Sequence, residues 1–206
     1  MKALILVDLQ NDFLPGGALP VPEGDAVIPV ANHLITYFDL VVATQDWHPA
    51  DHGSFAANHP GKNPGDSIIL HGLDQILWPV HCVRNTPGAF FAGDLDTNRL
   101  DRIFLKGTDP DIDSYSGFFD NGHKKDTGLG DYLRENGVTD VYILGLATDY
   151  CVRFTALDAC QLGFTTFLVE DGCRGVNLNP GDIHASIEDM KKAGVIVLTS
   201  DDIIGR

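Results

Sequence analysis

The chain has 206 residues, a length that suits one domain with a sizeable core, and its 14 basic against 29 acidic side chains leave a net charge of −15. That balance repels phosphate backbones and anionic headgroups, so nucleic acid and membrane surfaces are excluded as expected partners. The opening MKALILVDLQNDF carries one Lys and an apolar run cut short by Asp8, which fits neither a signal peptide nor a spanning helix, and a cytoplasmic location is expected.

In chain order, runs rich in β-branched and apolar residues at 3–9, 39–45, 103–106, 140–147, 165–170 and 194–199 read as strands. Several are almost continuously hydrophobic, as strands buried on both faces are. Helix-like segments fall at 26–38, 128–136, 151–162 and 182–193, and the last three end at Gly137, Gly163 and Gly194, where a left-handed cap is expected. The alternation predicts an α/β fold, a three-layer αβα sandwich around a mostly parallel, doubly wound six-stranded sheet. A single domain over 1–206 is expected, interrupted by a stretch from about 49 to 101 that is dense in Gly, Pro, His and Asn. A connection of that length points to a binding excursion. The cysteines, Cys82, Cys151, Cys160 and Cys173, form no CxxC pair, and reduced thiols are expected.

In open parallel sheets, ligands bind outside the carboxyl ends of the strands. Asp8 ends the first strand, Asp46 and His48 follow the second, Lys106 closes the third and Cys151 lies just past the fourth. Taken singly, each has a bland explanation: a turn cap, a solvated lysine, a core cysteine. Together they bring a nucleophile, a carboxylate and an ammonium to one rim, as covalent catalysis requires. GLATDYCVRFTALDA passes from a buried strand into an amphipathic helix, with Thr148 or Asp149 expected as N-cap. A thiol in that first turn would have its pKa lowered by unpaired amides, and the same amides can form an oxyanion hole.

Asp46 and His48 of DWH project to one side of an extended segment, and His81 of WPVHC offers a third ligand. One Asp with two His suits a divalent transition metal: zinc, iron(II) or manganese. His52, His59 and His71 are spare candidates, whereas His33, His123 and His184 read as solvated.

The chain resembles the nicotinamidases and pyrazinamidases among the isochorismatase-like cysteine hydrolases. The match runs through VDLQNDF at 7–13, TQDWHPADHGSF at 44–55, WPVHC at 78–82, KGTDPDIDSYSGFFDN at 106–121, GLATDYCVRFTALDA at 145–159 and EDGCRGV at 170–176. The resemblance implies a catalytic triad of Asp8, Lys106 and Cys151, and one metal ion, zinc first, held by Asp46, His48 and His81. Ser54 stands where some relatives carry a further histidine ligand. It also implies a cis peptide between Leu146 and Ala147, with the amides of Ala147 and Cys151 as oxyanion donors, and a substrate ring held by Phe13, Trp78 and Tyr115. The small-molecule substrate implied is nicotinamide, converted to nicotinate and ammonia. Homo-oligomerisation is left open. The rival readings are a metal-free relative acting on N-carbamoyl compounds, ureidoacrylate or isochorismate, a zinc hydrolase with a bystander cysteine, and a ligand-binding α/β domain without activity. DWH with WPVHC speaks against the first, and DLQNDFLPGG after the first strand, in place of GxGxxG, speaks against a dinucleotide module.

Overall fold

In the computed structural model, which describes residues 1–205, the apolar runs form strands β1 (Lys2–Val7), β2 (Leu40–Asp46), β5 (Arg102–Lys106), β6 (Asp140–Leu146), β7 (Thr165–Arg174) and β8 (Ile196–Leu198). They pair side by side, every pairing parallel, in the order β5-β2-β1-β6-β7-β8. The order follows hydrophobicity. Ala3 to Val7 are fully buried and β2 is buried along its whole length, so both take inner places. β5 alternates towards solvent and β8 is short, and both lie at edges.

Helices α1 (Val27–Ile35), α2 (Leu129–Glu135), α3 (Arg153–Gln161) and α4 (Asp182–Lys192) lie within the segments read as helical, and they complete the αβα sandwich. Gly137, Gly163 and Gly194 all take positive φ after the helix ends, as their positions suggested. No helix among the described residues is long and apolar enough to cross a membrane.

Several elements depart from the sequence reading, and β7 runs on to Arg174, past the expected end at 170. The first strand stops at Val7 and not at residue 9, because Asp8 turns the chain into the left-handed region at φ 51°. The segment 49–101 is not wholly irregular: β3 (Ser67–Leu70) and β4 (Leu73–Ile76) form an antiparallel hairpin apart from the main sheet. His71 (φ 48°) and Gly72 (φ 88°) make its two-residue turn, which needs positive φ at both centres. A final short helix, α5 (Ser200–Ile204), was also unread, although Thr199 and Asp202 form a capping box at its start.

Gly145 is the closest approach between the central strands. It pairs with Val7, its φ is 133°, and an added Cβ would overlap the Val7 carbonyl oxygen and lie 2.8 Å from the Val7 nitrogen. Gly145→Ala is expected to cost roughly 3 kcal/mol or more. Gly163→Ala, at positive φ but in open space, should cost about 1 kcal/mol. Thermal or urea unfolding of the two variants tests the difference, and equal losses would show that the β1–β6 contact is not tight.

Candidate active site

The carboxyl ends of β1, β2, β5 and β6 converge on one buried ammonium. Asp46 and Lys106 are the last residues of adjacent strands and are paired in register, so their side chains meet across the ladder. Lys106 Nζ lies 2.5 Å from Asp46 Oδ1, 2.8 Å from Asp8 Oδ2, 3.0 Å from Ser114 O and 3.3 Å from Cys151 Sγ. Lys106 is 2% exposed. Taking an ammonium out of water costs several kcal/mol, and two carboxylates in direct contact offset that cost. Burial works against the Lys106 charge, but Asp46, Asp8 and Cys151 outweigh it and hold its pKa well above the ordinary lysine value.

The two carboxylates separate in character. Burial raises Asp8 above the ordinary carboxylate value despite Lys106 and the Thr44 hydroxyl, which donates to Asp8 Oδ1 at 2.7 Å. For Asp46, burial is outweighed by Lys106 and His48, which hold it well below that value.

Cys151 reaches the cluster as expected, but its setting differs. Thr148–Val152 form one π-helical turn that closes with Val152 N–H donating to Ala147 O at 3.1 Å, and α3 begins only at Arg153. Neither Thr148 nor Asp149 caps a helix. The N-cap is Ala147, and the Asp149 carboxylate instead accepts from the amides of Val176 and Asn177 in the loop after β7, tying that loop to the turn. Nor is the thiol pKa lowered. Burial raises it well above the ordinary thiol value, against the pull of Lys106, with Asp8 and Asp46 adding to the rise. The Leu146–Ala147 peptide is cis, and Ala147 and Cys151 both line the pocket beyond.

Beside this cluster, Asp46, His48 and His81 face one another, with His48 Nε2 3.4 Å and His81 Nε2 3.8 Å from Asp46 Oδ2. Each imidazole is oriented from behind: His48 Nδ1 lies 2.8 Å from Gly107 O and His81 Nδ1 2.8 Å from Pro79 O. A carbonyl cannot donate, so each Nδ1 carries a hydrogen, and each Nε2 is turned inward toward Asp46. His48 Nε2 is buried with no hydrogen-bond partner. Two imidazole nitrogens converging on a carboxylate oxygen fit a divalent cation. Asp46 is itself fixed by Gln10, whose Oε1 accepts from Asp46 N–H and whose Nε2 donates to Asp46 O, both at 2.8 Å.

Of the spare histidines, His59 bonds Gly53 O, and His71 is exposed beside Asp111. His33, His123 and His184 are exposed, as read from the sequence. His52 is the exception. It is fully buried, its Nδ1 lies 2.7 Å from Ser54 Oγ, and its Nε2 has no partner and groups with His48 and Asp113. The Ser54 hydroxyl is thus engaged with His52, and the ring beside it turns a free nitrogen inward. Burial and neighbouring His48 lower the His52 pKa to about 4, which keeps the ring neutral.

The cluster opens into a pocket. Phe13, Trp78 and Tyr115 all line it, and Leu19, Val21, Tyr150 and Val176 join them. Trp78 and Tyr150 meet edge to face at 4.8 Å, and Trp78 Nε1 donates to the Tyr115 hydroxyl at 3.1 Å. The result is a slot walled largely by aromatic and aliphatic side chains, with the Cys151 thiol, Asp46 and His81 also in its lining.

The isochorismatase domain model matches residues 2–202. A nicotinamidase of Escherichia coli (strain K12) is 49% identical over 205 residues, spanning 98% of this chain and 96% of its own. The solved Acinetobacter baumanii nicotinamidase/pyrazinamidase superposes with a TM-score of 0.96 at 47% identity, covering 98% of this chain and 97% of its own. The Pyrococcus horikoshii pyrazinamidase in complex with zinc superposes at 0.78 with 46% identity, covering 96% and 98%.

Gly107 has φ 62°, and a Cβ there would overlap the His48 ring. Gly107→Ala is therefore expected to displace His48 and lower bound metal by at least about ten-fold at limiting metal. Metal analysis of the purified variant checks it, and full occupancy would remove His48 from the ligand set.

Proposed function

The chain belongs to the isochorismatase domain family, and on that premise we propose that it hydrolyses nicotinamide to nicotinate and ammonia, and pyrazinamide to pyrazinoate, through a thioester on Cys151. The observation that carries this reading is the single ammonium, Lys106 Nζ, in contact with Asp8, Cys151 and Asp46 at once.

The reaction follows from the protonation states. With the thiol pKa high and Asp8 still the stronger acid, the resting pair is a thiol and a carboxylate. Cys151 then cannot stand ready as a free thiolate. Its proton passes to Asp8 as sulfur attacks the amide carbon, and Lys106, 3.3 Å from the sulfur, balances the charge that develops. The carbonyl oxygen becomes negative facing the amides of Ala147 and Cys151. Collapse expels the amine, which takes the proton from Asp8 and leaves as ammonia. Asp8, again a carboxylate, accepts a proton from the water that attacks the thioester, and returns it to sulfur as the acid departs.

A divalent metal, zinc as in the P. horikoshii complex, would be held by Asp46, His48 and His81 and would supply positive charge for the ring nitrogen of the substrate, directly or through water. Phe13, Trp78 and Tyr115 orient the ring by stacking. This intact ligand set favours a pyridine carboxamide over the N-carbamoyl compounds of metal-free relatives, and the engaged cysteine argues against a bystander role. The reaction returns nicotinamide to NAD salvage.

Ammonia release is expected from nicotinamide and pyrazinamide, at least about ten-fold faster in kcat/KM than from benzamide or propionamide. Cys151→Ala should lose turnover while keeping its fold and bound metal. Full activity in that variant would refute covalent catalysis, and equal rates on all four amides would refute the ring selectivity.

A further inference from the structure

Gln75 is buried, 3% exposed, yet it belongs to none of the reacting groups and stands on the β3–β4 hairpin outside the main sheet. Its Nε2 donates to Asp113 Oδ2 at 2.9 Å and to Ile76 O at 2.7 Å, and lies 3.3 Å from the Tyr115 hydroxyl. Two residues beyond the hairpin, Trp78 Nε1 donates to that same hydroxyl. The hairpin exit therefore places the Trp78 donor and the Gln75 amide together at the Tyr115 hydroxyl, and Gln75 also holds Asp113 two residues earlier.

The segment so held has two duties. Ser114 O accepts from Lys106, and Tyr115 forms a wall of the inner pocket. Gln75 itself does not line the inner pocket. It lines, with Tyr115, an outer groove that also includes Asp74, Tyr150 and Arg153. Tyr115 is thus a partition between the pocket and the groove, and Gln75 braces it from the groove side.

The geometry points to Gln75 as a positioning residue for ring recognition: its amide keeps the Asp113–Tyr115 segment seated, so that the aromatic slot stays closed around a pyridine ring. The inference rests on the reading of the pocket as a pyridine-carboxamide site. Removing the amide takes a donor from a buried carboxylate and a polar neighbour from the Tyr115 hydroxyl, and water from the outer groove would satisfy them instead, at the cost of the wall. The Asp113 contact to Ser114 N–H at 2.8 Å is local and survives, so the Ser114 carbonyl stays on Lys106. Ring binding therefore weakens while the bond-breaking groups keep their arrangement.

The test uses Gln75→Met, of equal length without the amide, and Gln75→Asn, with the amide one methylene short, so that a folding failure in one leaves the other decisive. Three readouts are taken: KM and kcat with nicotinamide, the Kd of nicotinamide in the Cys151→Ala background by tryptophan fluorescence, and the rate of Cys151 alkylation by iodoacetamide. KM and Kd are expected to rise about ten-fold, with kcat and the alkylation rate within about two-fold of the parent. An unchanged KM and Kd, or a parallel loss in kcat and alkylation, would overturn the assignment. Should the parent enzyme release no ammonia from nicotinamide, the amidase reading fails by itself. The Kd comparison still decides the role of Gln75, and no binding by either protein overturns it.

Discussion

A lysine ammonium sealed from water between two carboxylates sets the terms for everything around it. Lys106 can be charged at that depth only while Asp8 and Asp46 both touch it, and each carboxylate is held in place by a different strand end. Its third and fourth neighbours, the Ser114 carbonyl and the Cys151 sulfur, belong to the two loops that shape the pocket. One side chain therefore joins the Asp8–Cys151 group to the Asp46–His48–His81 group and both to the pocket walls. Removing either carboxylate would leave charge uncompensated in the interior, which explains why the parallel sheet places these three strand ends side by side.

The supporting layer is built from backbone-directed polar contacts, which fix position without adding charge. Gln10 grips the peptide of Asp46 from both sides, and Gly107 and Pro79 carbonyls set the histidine tautomers. A carboxylate, Asp12, adds a further tie, since its Oδ2 accepts from Cys82 N–H while Cys82 O accepts from His48 N–H. The loop that delivers His81 and the segment that delivers His48 are thereby tied to each other and to the end of β1.

Much of this was legible in the sequence because it depends on local pattern. Continuous apolar runs identified the inner strands, and the rule that loops at their carboxyl ends converge brought Asp8, Asp46, Lys106 and Cys151 to one rim. What escaped depends on contacts distant in the chain. The π-turn around Cys151 exists because Asp149 is drawn to amides at 176 and 177 and is not free to cap a helix. The β3–β4 hairpin hid behind His71-Gly72, a turn pair without the usual Asn or Asp, and with it the role of Gln75. Tyr150 and Val176 reach the pocket only once the sheet is assembled. His52 was legible as a candidate, but only its Ser54 contact and its unpartnered Nε2 distinguish it from the other histidines of the excursion.

The division of labour between the two carboxylates follows from what each faces. Both touch the same ammonium, yet Asp46 also faces His48 and is held anionic, whereas Asp8 faces a neutral hydroxyl and thiol in a fully buried setting and is pushed towards protonation. Groups whose environments drive their acidities apart take different chemical roles. A permanently charged Asp46 can serve a cation and steady Lys106 but cannot ferry protons. Asp8 can, because its protonated form is brought within reach, and it stands beside Lys106 and the sulfur, the placement that the proposed proton transfers require. The raised thiol pKa is consistent with that assignment: a sulfur that stays protonated until a substrate carbonyl is present resists adventitious oxidation and alkylation, and it requires a base at hand at the moment of attack.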